Sequence, residues 1–189
     1  MTHEKGGAMN VAEAIASRRS IRKFQEGREV SPADVETILQ AGRLAPSWKN
    51  EQPWRFLVVR SAEMRNAIAD CLPQGNPAMN TIRVASALIV LLGVPAEGEV
   101  HQDKPFWLVD CGIAGASMYL QATELGIATV WVSLLDGPAI CRLLEAPEGM
   151  ECVGVFPLGY ALSDAPTKPR PRKAIEDIAF SEGYGRPLA

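Results

Sequence analysis

The sequence predicts a layered domain of α/β or α+β class, with helices on both faces of one sheet. Three observations carry this expectation. Segments of helical periodicity alternate with short runs rich in β-branched and aromatic residues, the pattern of layered domains. Residues 86–94 (SALIVLLGV) are apolar at consecutive positions, as in a strand covered on both faces. Residues 105–125 (PFWLVDCGIAGASMYLQATEL) have a helical pattern that is apolar almost all round and full of small residues, which predicts a central buried helix. A chain of 189 residues is long enough for one such core, so residues 1–189 read as one domain, with 1–9 flexible and 164–189 an extended C-terminal arm.

The first helix is expected to start after Asn10, with Glu13 in capping-box position, and to run into the arginines near residue 18. A second opens with Ser31 as cap and Pro32 at its first position, buries Val35, Ile38 and Leu39, and is stopped by Pro46. WRFLVVR (54–60) reads as a strand and Ser61 caps a short helix to about Leu72, after which PQGNP reads as a turn. Residues 86–94 form the second strand, and Gly126 ends the central helix at its C-cap. IATVWVSLL (127–135) reads as a third core strand, a short helix opens at Pro138, and ECVGVFPLG (151–159) is a fourth strand. Three prolines between 166 and 171 stiffen the arm.

Composition narrows function. With 47% hydrophobic and 22% charged residues the chain reads as a folded globular protein, and a net charge of -3 argues against a general nucleic-acid binder. The longest apolar run, about residues 85–94, is too short for the ~20 residues of a membrane-spanning helix. MTHEKGGAMN has no secretory core, so a cytoplasmic protein is expected. Cys71, Cys111, Cys141 and Cys152 are far apart in sequence, and His3 and His101 are the only histidines, so no metal site is expected. No G-x-G-x-x-G or P-loop motif follows a strand, which disfavours a Rossmann or nucleotide-phosphate loop.

Two stretches stand out against this background. SRRSIRKF puts Arg18, Arg19, Arg22 and Lys23 around Ser20. Cations at a helix C-terminus are favoured by its dipole, and a solvated basic face would need no more than that. Arginine forks beside a serine hydroxyl equally suit a phosphate dianion, and Lys168, Arg170, Arg172 and Lys173 on the stiff arm could close over the same anion. APSWKNEQPWRF then sets Ser47, Asn50 and Gln52 between prolines and tryptophans. It is a proline-stiffened polar loop, and its amides also match the alternating donors and acceptors of an isoalloxazine edge.

RRSIRKF, APSWKNEQPWRFLVV, DCGIAGASMYLQATELGIATVWV, FPLGYAL and KPRPRKAIED, in this order along nearly the whole chain, make the sequence similar to the nitroreductase family of FMN-dependent oxidoreductases. The resemblance implies an α+β three-layer sandwich around a mainly antiparallel sheet and an intertwined homodimer with FMN at the subunit interface. It implies that Arg18, Arg19, Ser20 and Arg22 hold the FMN phosphate and approach the flavin's N1/C2 side, completed by Arg170 and Arg172. Pro46, Ser47, Trp48, Asn50 and Gln52 resemble the loop that reaches the ring from the partner chain. Trp131, Val132, Ser133 and Leu134 occupy the stretch that passes along it.

Many relatives carry a glycine pair after that tryptophan, and here Val132, Ser133 and Leu134 add side chains. The segment between the second strand and the central helix is only PAEGEVHQDKPF, for which a more open pocket is expected, though a short loop equally fits a small substrate. The implied reaction is hydride transfer from NADH or NADPH through flavin N5 to a small-molecule acceptor such as a quinone, nitroaromatic or activated alkene, with ping-pong kinetics. No side-chain acid or base stands out, so no catalytic residue is assigned. The alternatives are a non-enzymatic FMN sensor or storage protein, and a flavin-fragmenting or dehalogenating branch of the same fold.

Overall fold

The structure, a computed structural model, describes residues 9–165 and 168–188. The expectation of a flexible tail at 1–9 therefore lies, Met9 apart, outside the described residues. Helix α1 (Val11–Ser17) starts where the sequence requires: Asn10 Oδ1 accepts the Glu13 amide at 3.0 Å, and the Glu13 carboxylate accepts the Asn10 amide at 2.9 Å. It ends at Arg18, whose ψ of 127° takes the chain into an extended path, so the basic cluster lies beyond the helix rather than in its last turn. Helix α2 (Pro32–Arg43) is capped by Ser31, whose Oγ accepts the Asp34 amide at 3.0 Å.

Strand β1 (Trp54–Val59) follows, then α3 (Ala62–Asp70), capped by Ser61, and α4 (Ala78–Val84). Before β2 (Ala87–Gly93), the expected turn PQGNP (73–77) precedes α4, a helix for which the sequence offers no expectation. Its signal is short, and it opens directly from the turn: Asn76 Oδ1 accepts the Ala78 amide at 2.9 Å. A small hairpin, β3 (Val100–His101) and β4 (Lys104–Pro105), leads into α5 (Phe106–Glu124). Gly126 follows α5 at φ +70°, a left-handed conformation that glycine adopts without steric cost. Asp136 then caps α6 (Gly137–Leu143), and β5 (Glu151–Leu158) returns to the sheet.

The sheet is antiparallel in the order β1–β2–β5. Every residue of β2 is buried, and alternation divides its side chains between two layers. Leu88, Val90 and Leu92 pack with Val59, Val155 and the inner faces of α3, α4 and α6. Ile89 and Leu91 pack with Trp54, Phe156, Leu158 and the inner faces of α2 and α5. Both sides of the strand are thus core, which explains its unbroken apolar run.

Residues 127–135 do not form the third strand expected. They run extended beside β5 but bridge it only at Ala128–Gly159 and Val132–Val155. Pro157 stands opposite Val130, midway between the two bridges, and has no amide to donate to it, so the ladder is left open there. Trp131, next to Val130, lays its indole across two glycines. A Cβ on Gly115 would stand 2.6 Å from its Cζ3, and one on Gly154 would collide with its Nε1. A register shift opposite Leu91 and Leu92, which leaves Val153 as the extra residue of β5, bends the strand at the same place.

Candidate functional site

After α1, residues 20–25 lie along the edge of the molecule between segment 127–132 and the end of β5. Ser20 bridges Thr129 in parallel, the Ile21 amide donates to the Thr129 carbonyl at 3.0 Å, and the Gln25 amide donates to the Tyr160 carbonyl at 2.8 Å. Ile21 and Phe24 are buried, which turns Ser20, Arg22 and Lys23 outward. Thr81 from α4 donates to the Arg22 carbonyl at 2.7 Å. From α5, the Tyr119 hydroxyl lies 2.9 Å from the Arg19 carbonyl, 3.0 Å from Ser20 Oγ and 3.1 Å from the Thr129 carbonyl. The Arg18 guanidinium stands over the Tyr119 ring, 4.8 Å from its centroid.

The arm begins against the same segment. The Leu162 amide donates to the Lys23 carbonyl at 3.0 Å, and Lys23 Nζ pairs with Asp164 at 2.6 Å. The Lys23 hydrogen bond holds the Asp164 carboxyl below its usual range. With its start fixed there, the arm brings its late basic cluster to the early one. Together Arg18, Arg19, Ser20, Arg22, Lys23, Pro77, Lys168, Arg170 and Arg172 line a cavity of about 540 Å³, and among the described residues no carboxylate is on its wall. A smaller recess of about 160 Å³ adjoins it, because Arg22 and Pro77 line both, and its remaining wall is Asn76, Ala78, Val130 and the stretch from Trp131 to Leu134.

Two of the three groups expected at a site are therefore brought together, at adjoining recesses. Within the second of them, Val132 is 5% exposed and packs in the core, whereas Ser133 and Leu134 are exposed. The third group, Pro46 to Gln52, lies elsewhere on the chain. The Trp48 amide donates to Asp110 Oδ1 at 3.0 Å, and the Trp48 ring packs on Phe106 with centroids 4.6 Å apart. Asp110 and Tyr119 are nine positions apart on α5, about 13 Å along its axis at the usual rise. The loop is thus separated from the arginines of its own chain by much of a helix. It is also conformationally unusual, with Lys49, Asn50 and Gln52 at φ of 48°, 59° and 53°.

Sequence reasoning missed Asn76 and Pro77, which read as a turn, Ala78, which drew no expectation, and Tyr119, which reads as one more residue of a buried helix. The buried hydroxyl of Tyr119 carries no sequence signature, because its partners are mainly backbone carbonyls. Among the described residues no group of three or more His, Cys, Asp or Glu could hold a metal ion, and no helix is long and apolar enough to cross a membrane.

The profile of the nitroreductase family matches residues 15–160, which include the early arginines, the whole sheet and α5. The chain belongs to the nitroreductase family. A nitroreductase relative from Methanothermobacter thermautotrophicus, named provisionally an NADH dehydrogenase/NAD(P)H nitroreductase, is 36% identical over 170 residues, covering 87% of this chain and 84% of its own. The iodotyrosine dehalogenase 1 homolog of Caenorhabditis elegans is 27% identical over 193 residues, covering 88% of this chain and 59% of its own. The solved structure of a nitroreductase family protein from Clostridium difficile 630 superposes with a TM-score of 0.80 at 26% identity, covering 93% of this chain and 99% of that one. The antiparallel sheet between two helical layers is thus the nitroreductase fold.

Proposed function

We propose that this chain is an FMN-dependent oxidoreductase that takes hydride from NADH or NADPH and delivers it to a small acceptor, a quinone, nitroaromatic or activated alkene. The observation that carries this reading is the convergence of seven cationic side chains on one cavity, which adjoins a recess beside Trp131. The residues present fit FMN. Arg18, Arg19, Ser20, Arg22, Arg170 and Arg172 offer forked donors and a hydroxyl to a phosphate dianion. Ser133 and Leu134 border the recess that would take the ring, and Arg22, lining both spaces, is the cation available to its N1/C2 side.

When bound, the cofactor supplies a two-electron carrier that is reduced by one substrate and reoxidised by the next. The chain's own residues hold and orient it. Tyr119 and Thr81 fix the backbone from which Arg19, Ser20 and Arg22 project, and the arm closes the phosphate end. No side chain here is assigned a proton-transfer role.

The proposal includes a homodimer. The Pro46–Gln52 loop is too far from its own chain's arginines to serve them, and Leu108, Val109 and Ile113 expose an apolar stripe on α5, 42%, 54% and 37% accessible, of the kind a second copy covers. In that dimer Pro46, Ser47, Trp48, Asn50 and Gln52 reach the partner's flavin.

The absorption spectrum of the purified protein, followed by anaerobic mixing with NADH and NADPH, tests the function. A flavin band that bleaches on a catalytic timescale supports an enzyme. A band that persists indicates a flavin store, and colourless protein that binds no added FMN refutes the reading. A monomer with full FMN occupancy in gel filtration refutes the dimer. The likeness to the iodotyrosine dehalogenase homolog supports a second reading, reductive dehalogenation of a halophenol at the same site. An acceptor panel containing both quinones and halophenols separates the two.

A further inference from the structure

We propose that Asp110 is the positioning residue of the Pro46–Gln52 loop, its buried carboxylate holding the turn that presents Asn50 and Gln52; this inference rests on the function proposed above. Asp110 is 3% exposed, yet its Oδ2 makes no hydrogen bond among the described residues. Among the described residues its Oδ1 accepts a single bond, the Trp48 amide at 3.0 Å. A carboxylate is costly to remove from water, and one bond to a neutral amide offsets little of that cost. Packing alone would be served better by an apolar side chain, so the acid has to be explained by what it holds.

What it holds is the first amide of the 3-10 turn Trp48–Asn50, a donor without a partner inside the turn. Ser47, in the capping position, makes no cap bond: its Oγ instead accepts the Gln52 amide at 3.0 Å. The turn is therefore capped from α5. Phe106, one helical turn before Asp110 and on the same face, supports the Trp48 ring, so the loop is gripped at two points of one residue. Beyond this grip the backbone enters the left-handed region at Lys49, Asn50 and Gln52, which is unfavourable for side-chain-bearing residues and persists where the surroundings over-determine it. With Trp48 released, that conformation is left with the exposed Lys49–Glu99 ion pair at 3.1 Å, which contributes little.

The test uses the full-length protein with Asp110→Ala, Asp110→Leu and Asp110→Asn. Lys49 is exposed, so tryptic cleavage after it, followed by mass spectrometry, reads the loop directly, and FMN titration reads its use. Loss of one charge-assisted bond predicts cleavage about tenfold faster and FMN binding about tenfold weaker in the Ala variant, with the helical circular dichroism unchanged. The Asn variant, whose amide oxygen can take the same N–H, is expected within about threefold of wild type on both readouts. Should the Ala variant fail to fold, the Leu variant, which fills the space without an acceptor, decides. Wild-type cleavage in the Ala or Leu variant, or an Asn variant as labile as Leu, overturns the proposal. Faster cleavage in a protein that binds no FMN in any form upholds the anchor and overturns the flavin reading instead. Unchanged cleavage with FMN bound does the reverse.

Discussion

The Tyr119 hydroxyl lies 3.0 Å from Ser20 Oγ and within 3.1 Å of the carbonyls of Arg19 and Thr129, joining the central helix to the backbone that carries the basic cluster. One buried phenol thus sets where α5, the arginine segment and the 127–132 segment meet. Tyr119→Phe keeps the ring under Arg18 and removes this junction. We expect a loss of about 1 to 2 kcal/mol in stability and FMN binding weakened several-fold. Denaturant titration with an unchanged m-value, together with FMN titration, checks both, and an unaltered FMN affinity would show that the phenol only stabilises.

Arg170→Ala and Arg172→Ala test the arm. Each removes charge-assisted bonds to a phosphate, so FMN should bind about 10- to 100-fold more weakly. Riboflavin, which has the ring and lacks the phosphate, should bind the variants and the parent alike. The slope of FMN affinity against salt should also flatten. Equal losses for FMN and riboflavin would place the arm on the ring rather than the phosphate.

Gly115→Ala tests the seat of Trp131. The added methyl would meet the indole at 2.6 Å and the Phe156 ring at 3.0 Å, and overpacking of this kind costs about 1 to 3 kcal/mol. Trp131→Phe in the same background should recover part of the loss, because the smaller ring clears the methyl. A double-mutant cycle of thermal stabilities measures this coupling, and strict additivity would contradict the contact.

The thiols predict an alkaline limit. Burial pushes Cys111 and Cys152 from their ordinary 9.0 up to about 12. Each is therefore held neutral in the folded protein but ionises above pH 9 once unfolded. Their contribution to stability is complete below pH 9 and is lost as pH rises toward 12. Thermal unfolding followed from pH 8 to 11 should show this decline, shallower in Cys111→Ala. Thiol reagents at neutral pH should leave Cys111, which has no solvent exposure, unmodified until the protein unfolds.

The strongest local signals were legible. Asn10, Ser31 and Ser61 named the starts of their helices because a cap is an interaction between near neighbours in sequence. The run of β2 announced a strand covered twice. Segment 127–135 misled because its β-branched residues carry the alternation of a strand, whereas the residue that breaks its pairing, Pro157, lies elsewhere in the chain, on β5. The meeting of Arg18–Arg22 with Arg170 and Arg172 was anticipated from charge and chemistry, but the devices that achieve it were not. Lys23–Asp164 and Tyr119–Ser20 span most of the chain or cross the core, and no local spacing encodes them.

β2 has a neighbour on each edge and a helical layer on each face. Its interior amides can meet solvent only when both layers part and the ladders on either side come undone. Deuterium uptake at residues 88–92 should therefore be the slowest in the molecule, and its rate becomes a gauge of complete rather than partial opening, against which looser motions of the arm and the Pro46–Gln52 loop can be timed.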